Sequence, residues 1–249
     1  MGTVEQLLEY SVRLTPGIAV IVLAIALLGR AAPALRIALL IVGFILVRDL
    51  MTPLGFWTFG RTDIGLPWLR FIDDGVLLLV FGAVVLGLVA VMLRTQPDLA
   101  AYVVWGRLNP RALATAVGAA AVIAVPLLGL LQFVPLRERG GAVAVSLLVP
   151  LLVLALLGNF MEEVIFRGFL QGYLEQATEL TPGRVIVLSG LIFAAGHAFL
   201  AITVTDLGWP ILAFTFAEGL ACAWVKRRSG VLAASLTHGL IIFALASGL

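Results

Sequence analysis

Apolar residues run along the chain in long blocks, and charged residues, prolines and glycines fall mainly between the blocks. Broken at those positions, the sequence gives about eight segments of the length that a bilayer requires. They lie near residues 15–29, 34–47, 76–93, 112–134, 142–165, 185–204, 209–225 and 231–248. The pattern predicts an all-α fold, a polytopic membrane bundle of about eight transmembrane helices.

Composition supports the bilayer as the solvent. Of the 249 residues, 62% are hydrophobic and 12% are charged, and the mean hydropathy is +1.14. A soluble domain is about half apolar and a quarter charged, so one soluble core cannot bury this excess. The net charge of +2 comes from short clusters between apolar blocks, which indicates membrane orientation and excludes nucleic acid as a partner. Cys222 is the one cysteine, so no disulfide forms within the chain.

Small residues recur on the fourth predicted helix. Ala112, Ala116 and Ala120 stand four residues apart, which places them on one helix face. A face of alanines lets another helix approach closely in a membrane. Pro126 lies in the same segment, where neighbouring helices can satisfy the carbonyl that a proline frees.

The stretch 48–75 separates the second and third predicted helices and differs in composition. It places Phe56, Trp57, Phe59, Trp68 and Phe71 among arginines and aspartates. Aromatic residues mixed with charges are typical of the headgroup layer, so we expect an interfacial helix or loop. An aromatic belt and a cap that gates the substrate are both compatible with this pattern.

The distribution of arginines predicts orientation. With an even number of helices both termini face one side. If that side is external, the inner loops hold Arg30, Arg36, Arg94, Arg107, Arg111, Arg184, Lys226, Arg227 and Arg228. The outer side then holds Arg13, Arg48, Arg61, Arg70, Arg137 and Arg139. The excess of basic residues in the inner loops predicts that both termini lie outside. Arg137 and Arg139, which would then lie on the outer side, argue against this orientation. Fifteen arginines against one lysine suggest a GC-rich bacterial gene, and hence the cytoplasmic membrane.

Ionisable groups inside the predicted helices are the candidate functional residues. Each costs about 3 kcal/mol or more at the bilayer centre, so such groups are functional by default. The last hundred residues place six of them in apolar blocks: Glu162, Glu163, Arg167, His197, Glu218 and His238. Counted at about 1.5 Å per residue, Glu162, Glu218 and His238 fall about 10–15 Å from the inner face, and His197 about 20 Å. The groups can therefore share one layer.

Helix geometry divides the acidic pair into two roles. Glu163 and Arg167 stand four residues apart with the acid first, which is the favourable order for an ion pair. Glu162 points about 100° away and has no partner in its own helix. An unpaired carboxylate in an apolar site is typical of a general base, so we interpret Glu162 as the base and the other two residues as a clamp. The alternative is that both glutamates only pair with basic groups between helices.

Three motifs in separate helices resemble those of the CPBP family, which comprises the type II CAAX prenyl protease and its bacterial relatives. They are Glu-Glu-x-x-x-Arg at 162–167, Phe-x-x-x-His at 193–197, and a later histidine at 238. The resemblance covers residues 142–249 and implies a CPBP-like catalytic core there. Residues 1–141 then form an N-terminal set of transmembrane helices that includes the interfacial stretch 48–75.

The resemblance implies a glutamate-type intramembrane endopeptidase. Glu162 and His197 would activate the water that attacks the scissile carbonyl. His238 would stabilise the oxyanion together with an asparagine four residues later, but this sequence has Ile242 there. Losing one such donor costs about 10²–10³ in rate, and Asn159 is the first candidate to replace it.

Two other residues are candidates for substrate contact. Glu218 has no counterpart in the motifs. Two interpretations are open for it: contact with a substrate or a histidine, and a plain interhelical hydrogen bond. Phe193 stands one turn before His197, where it can pack on the imidazole or exclude water.

Two further functions stay open. Glu162, His197 and His238 could bind a zinc ion, although the chain has no His-Glu-x-x-His motif. Ionisable groups at mid-depth also mark ion pathways, so a non-catalytic scaffold or a transporter is the third hypothesis. The leading prediction requires no cofactor and no metal. Its partners are a membrane protein or peptide substrate and the lipid bilayer, and no oligomeric state is predicted.

Overall fold

A computed structural model describes residues 3–27 and 32–249. The predicted positions 28, 29 and Arg30 lie outside the described residues. The described part is mostly helical, as predicted. Its α-helices are α1 Thr3–Leu27, α2 Pro33–Met51, α3 Gly75–Thr95, α4 Pro97–Ala100, α5 Pro110–Leu131, α6 Leu148–Glu163, α7 Gln171–Ala177, α8 Pro182–Ala195, α9 Trp209–Ser229 and α10 Val231–Ala246.

Five helical stretches of the described residues are long and apolar enough to cross a membrane. They are Pro33–Leu54, Gly75–Thr95, Pro110–Leu131, Val145–Ala177 and Pro182–Val204, and Val231–Ala246 is a shorter apolar helix. Helix α1 and α9, which carries Glu218 and three basic residues at its end, complete the set that the sequence pattern outlined. The predicted number of eight is thus approximate.

The outer faces of the long helices are apolar. On α3, Val76 is 70% exposed, and Val84 and Val91 lie on exposed positions as well. The opposite face buries Leu78, Gly82, Val85 and Val89. A helix that is apolar on both faces is stable where its outer face meets lipid, so this pattern agrees with a chain embedded in a membrane.

Helix α6 lies between α3 and α10, and α8 packs against α9. Small residues allow close approach at these crossings. A methyl group added to Gly239 of α10 would lie 3.0 Å from the Ala155 carbonyl oxygen of α6. One added to Gly219 of α9 would lie 3.1 Å from the Cα atom of Gly190 on α8. Backbones that approach this closely gain van der Waals contact, which is the main source of helix association in lipid.

The alanine face of α5 packs as predicted. Ala112, Ala116 and Ala120 are all buried, and α5 lies against α10 and α9. Thr237 of α10 donates a hydrogen bond to the Ala116 carbonyl at 3.3 Å. The small side chains therefore let a polar group of one helix reach the backbone of another.

The stretch 48–75 forms a β-hairpin, and the prediction of an interfacial helix or loop was wrong there. Helix α2 continues to Met51, followed by the short turn Thr52–Leu54, strand β1 Trp57–Arg61 and strand β2 Pro67–Phe71. The strands are antiparallel, with Trp57 opposite Phe71 and Phe59 opposite Leu69. The connecting turn uses Gly65 at φ +82°, a conformation that favours glycine.

The hairpin is fixed to the helices by one arginine and a set of aromatic rings. Arg70 donates hydrogen bonds to the carbonyls of Arg139, Gly141 and Leu245 at 2.7–3.2 Å. Burial and the nearby Arg139 guanidinium lower the pKa of Arg70. The Phe56 ring contacts Phe81 with centroids 4.5 Å apart. Two of the five aromatic residues, Phe56 and Trp57, are buried within the protein.

Candidate active site

The acidic motif lies where α6 changes its helical geometry. Glu162 and Glu163 end α6, and the segment Val164–Leu170 continues as a π-helix into α7. A π-helical turn inserts one extra residue and is frequent at functional sites. Every residue of this segment is buried, which places Arg167 in the interior of the bundle.

The predicted pair between Glu163 and Arg167 is formed. Arg167 Nη1 lies 2.9 Å from Glu163 Oε1, and both side chains are completely buried. Arg167 Nη2 donates to the Gly219 carbonyl at 3.2 Å, and its guanidinium carbon lies 4.2 Å from the centroid of the Phe193 ring. The guanidinium thus connects the π-helical segment to α8 and α9.

The same Glu163 oxygen also contacts His238 of α10. His238 Nδ1 lies 2.9 Å from Glu163 Oε1. A carboxylate that binds a guanidinium is ionised and accepts only, so the Nδ1 atom carries the proton and donates it. The acidic residue therefore sets the orientation of the imidazole as well as neutralising Arg167.

Glu218 of α9 faces the other nitrogen of His238. Its Oε1 atom lies 3.6 Å from His238 Nε2, and the side chain is 2% exposed. This distance exceeds that of a hydrogen bond, so the two groups face each other without being bonded. Of the two interpretations of Glu218, contact with a histidine is the one that this geometry provides.

Glu162 is buried on a different side of α6. It is 7% exposed, and its Oε2 atom has no hydrogen-bond partner among the described residues. Its charge interacts with those of Glu218 and His238. A buried carboxylate oxygen without a protein partner is available to accept a proton from a small molecule such as water.

His197 follows α8 and shares Phe193 with His238. Its Nδ1 atom lies 2.9 Å from the Phe193 carbonyl oxygen. The Phe193 ring centroid lies 4.8 Å from the His197 ring and 5.6 Å from the His238 ring. The phenyl ring therefore contacts both imidazoles, and Phe193 packs on His197 as expected from their spacing.

Arg48 is a residue of this region that the sequence analysis assigned to a loop. The second predicted helix ended at residue 47, but α2 extends to Met51 and carries Arg48 inside the bundle. Its Nη1 atom lies 3.1 Å from His197 Nε2. An arginine next to an aspartate within an apolar stretch was the available signal, since buried ionisable groups in membranes are usually functional.

Not every predicted residue joins this cluster. Glu162 and His197 form no direct hydrogen bond within the described part of the chain. Asn159, the candidate oxyanion donor, uses its Nδ2 atom for the Ala155 carbonyl of its own helix at 2.7 Å. Ile242 packs against the apolar clusters around Leu78 and Ile241.

The predicted zinc ligands are not brought together either. Within residues 3–27 and 32–249, the group whose ligand atoms lie within 4.8 Å of one another is Glu163, Cys222 and His238. This set does not fit a divalent cation well, because the Arg167 guanidinium already lies on Glu163 Oε1 and a proton of His238 points at the same oxygen.

Comparison with known families gives a match to the part of the chain that carries the motifs. Residues 144–244 match the family described as Rce1-like, the type II CAAX prenyl endopeptidase Rce1-like family. The match begins just before α6 and ends in α10, so it includes Glu162, Glu163, Arg167, His197, Glu218 and His238. No curated protein and no solved structure matches the chain.

Proposed function

From the premise that residues 144–244 form an Rce1-like type II CAAX prenyl endopeptidase domain in an integral membrane protein, we propose a specific activity. The protein is an intramembrane peptidase that hydrolyses a peptide bond of a membrane-associated protein or peptide. It acts without a cofactor, through a water molecule that a glutamate activates.

One observation carries the proposal most directly. A carboxylate oxygen of Glu162 is buried without a hydrogen-bond partner among the described residues, whereas Glu163 uses one of its oxygens for Arg167 and His238. A carboxylate oxygen in this position can accept a proton from a bound water, which is the role of a general base. The surrounding helices exclude bulk water, so a single bound water can be positioned.

The proposed reaction uses Glu162 as the base. Its carboxylate takes a proton from water as the oxygen attacks the carbonyl carbon of the substrate. The carbon–nitrogen bond then breaks, and the proton passes to the leaving nitrogen. The products are a carboxylic acid and an amine, which together contain the atoms of one peptide bond and one water molecule.

The remaining residues position this centre. Glu163 and Arg167 orient His238, whose imidazole would face the developing oxyanion. His197 would contact the water through Nε2 once the Arg48 guanidinium leaves that atom. Asn159 would contribute an oxyanion contact only after releasing the Ala155 carbonyl.

We place the protein in the bacterial cytoplasmic membrane with both termini outside, as the arginine distribution favours. Residues 142–249 form the catalytic core in this proposal. Residues 1–141 add helices that shape and close it.

A non-catalytic scaffold is the second candidate, and two observations favour it. Ile242 replaces the asparagine of the family motif, and both ring nitrogens of His197 have protein partners. A former peptidase that binds its partner without cleaving it would tolerate both features.

Comparative proteomics separates the two candidates. The termini of membrane proteins are quantified in cells that contain the wild-type protein, Glu162→Gln or the control Glu138→Gln. Glu138 is chosen because its side chain is 40% exposed and it lies outside the three motifs. We expect a set of cleaved termini in the wild type and in Glu138→Gln that disappears in Glu162→Gln. Identical termini in all three strains would rule out the peptidase.

A further inference from the structure

Arg48 contacts the candidate active site from outside the domain that the family match covers. It lies on α2, and its side chain is 12% exposed. Its Nε atom donates to Asp49 Oδ1 at 2.8 Å, and Asp49 is completely buried. The two terminal nitrogens contact His197 Nε2 at 3.1 Å and the Gly196 carbonyl oxygen at 2.9 Å.

These contacts divide the guanidinium into two edges. The Nε edge meets a charged partner, whereas the Nη1 and Nη2 fork meets two neutral acceptors. A guanidinium fork binds a carboxylate through two parallel hydrogen bonds, and charge-assisted bonds are about twice as strong as neutral ones. A carboxylate that reached the fork would therefore displace the imidazole and the carbonyl.

The contacts also fix the state of His197. A guanidinium only donates, so Nε2 is the acceptor and the proton of the ring lies on Nδ1, which donates to the Phe193 carbonyl. Neither nitrogen is then available to a water molecule. His197 can take part in hydrolysis only after Arg48 moves away from Nε2.

A groove is lined by residues that follow both partners of this contact along the chain. It has a volume of about 440 Å³ and is lined on one side by Thr52 and by Trp57 and Phe59 of the hairpin, and on the other by residues 204–207. Thr52 is one helical turn beyond Arg48, and residues 204–207 follow the π-helical segment Leu200–Val204 after His197. Thr52 also donates from its hydroxyl to the Arg48 carbonyl oxygen at 3.4 Å, so the groove reaches the helical turn that carries Arg48.

We propose that Arg48 is a specificity-determining residue, which binds a carboxylate of the substrate peptide through Nη1 and Nη2 and thereby frees His197 Nε2. This inference rests on the proposed peptidase function. The carboxylate is either the C-terminus of the substrate or an acidic side chain, and the chemistry at the fork is the same. A peptide without a carboxylate would leave His197 bound to Arg48.

The test reads the His197 ring directly and needs no turnover. The chain has two histidines, so ¹⁵N-histidine labelling gives few signals, and His197→Gln assigns those of His197 by their loss. Magic-angle-spinning NMR of Glu162→Gln in lipid bilayers then follows the Nε2 chemical shift as peptides are added. The peptides are acetyl-Ala-Leu-Phe-Ala with a free carboxylate, the same peptide as a carboxamide, and the carboxamide with an N-terminal glutamate.

We expect at least one of the two acidic peptides to shift the Nε2 signal and the neutral carboxamide to leave it unchanged. The peptide that acts identifies the source of the carboxylate. The proposal is overturned if the neutral peptide shifts the Nε2 signal as much as an acidic peptide does, or if neither acidic peptide shifts it. The Nε2 signal reports peptide binding and needs no turnover. Its outcome is therefore independent of the proteomic comparison, which tests cleavage.

Variants of Arg48 complete the test. In the same Glu162→Gln background, Arg48→Gln should weaken binding of the active peptide by about tenfold to a hundredfold. Arg48→Lys keeps the positive charge but not the guanidinium fork, so its affinity for the peptide should lie between those of Arg48 and Arg48→Gln. Arg137→Gln is the matched control, since Arg137 is 86% exposed and should bind like the starting protein. Undiminished binding by folded Arg48→Gln, as judged by its melting temperature, contradicts the assignment.

Discussion

A single oxygen atom, Glu163 Oε1, connects three helical segments of the candidate site. It contacts the guanidinium of Arg167 in the π-helical segment and the imidazole of His238 on α10, each at 2.9 Å. Because both partners are buried, the carboxylate is more than a surface ion pair. Its removal leaves a cation in an apolar interior.

Glu163→Leu should therefore lower the stability of the protein by about 3–5 kcal/mol, the usual cost of leaving one partner of a buried ion pair alone. The double variant Glu163→Leu/Arg167→Met contains no unpaired charge at this place, so it should recover much of that loss, although His238 still lacks an acceptor. Thermal unfolding in detergent measures the order of the three proteins. A double variant less stable than the single one would contradict the role of the pair.

At the scale of elements, glycines determine how closely the motif-bearing helices approach. Gly239 follows His238 directly, and an added methyl group there would lie 3.0 Å from the Ala155 carbonyl oxygen, a backbone atom that cannot rotate away. That contact is shorter than ordinary van der Waals distance, so α10 or α6 must shift. The shift acts on the same crossing that joins His238 to Glu163.

Gly239→Ala should reduce turnover by about tenfold to a hundredfold, since small displacements of catalytic groups have effects of this size. Gly118→Ala on α5 is the control, because no atom lies within 4 Å of the position of its added methyl group. Both variants are compared by turnover and by melting temperature. Equal activity of the two would show that the α6–α10 crossing does not position the site.

The sequence predicted these helices because long apolar blocks have one stable form in lipid. It also predicted the Glu163–Arg167 pair, since a spacing of four residues is local to one helix. It did not predict the hairpin, whose two five-residue strands are too short to show a period among aromatic and charged residues. The contact of Arg48 with His197 joins positions 149 residues apart, and only the packed structure brings them together.

At the scale of the whole molecule, the two predicted parts share their cores. Ile37 of α2, Val89 of α3 and Leu99 of α4 belong to the same apolar cluster as Phe166 and Phe193. Helix α3 lies along α6, and Arg48 contacts His197. Residues 142–249 therefore depend on residues 1–141 for much of their buried surface.

Residues 142–249 expressed alone should fail to give a monodisperse protein, because the partners of α6 and α10 are absent. Co-expression with residues 1–141 should restore it, since the division falls in the loop before α6 and interrupts no long helix. Size-exclusion chromatography in detergent measures both. A stable 142–249 fragment would show that this part folds independently.

The central claim is that Glu162 activates water for peptide-bond hydrolysis. Its most direct test is the turnover of purified protein in lipid vesicles, with a substrate identified from the proteomic comparison. The turnover rate of Glu162→Gln should be about 10²- to 10⁴-fold lower than that of the wild type, because the variant lacks the general base. Its melting temperature should be unchanged. Wild-type turnover in a folded Glu162→Gln protein would contradict the account.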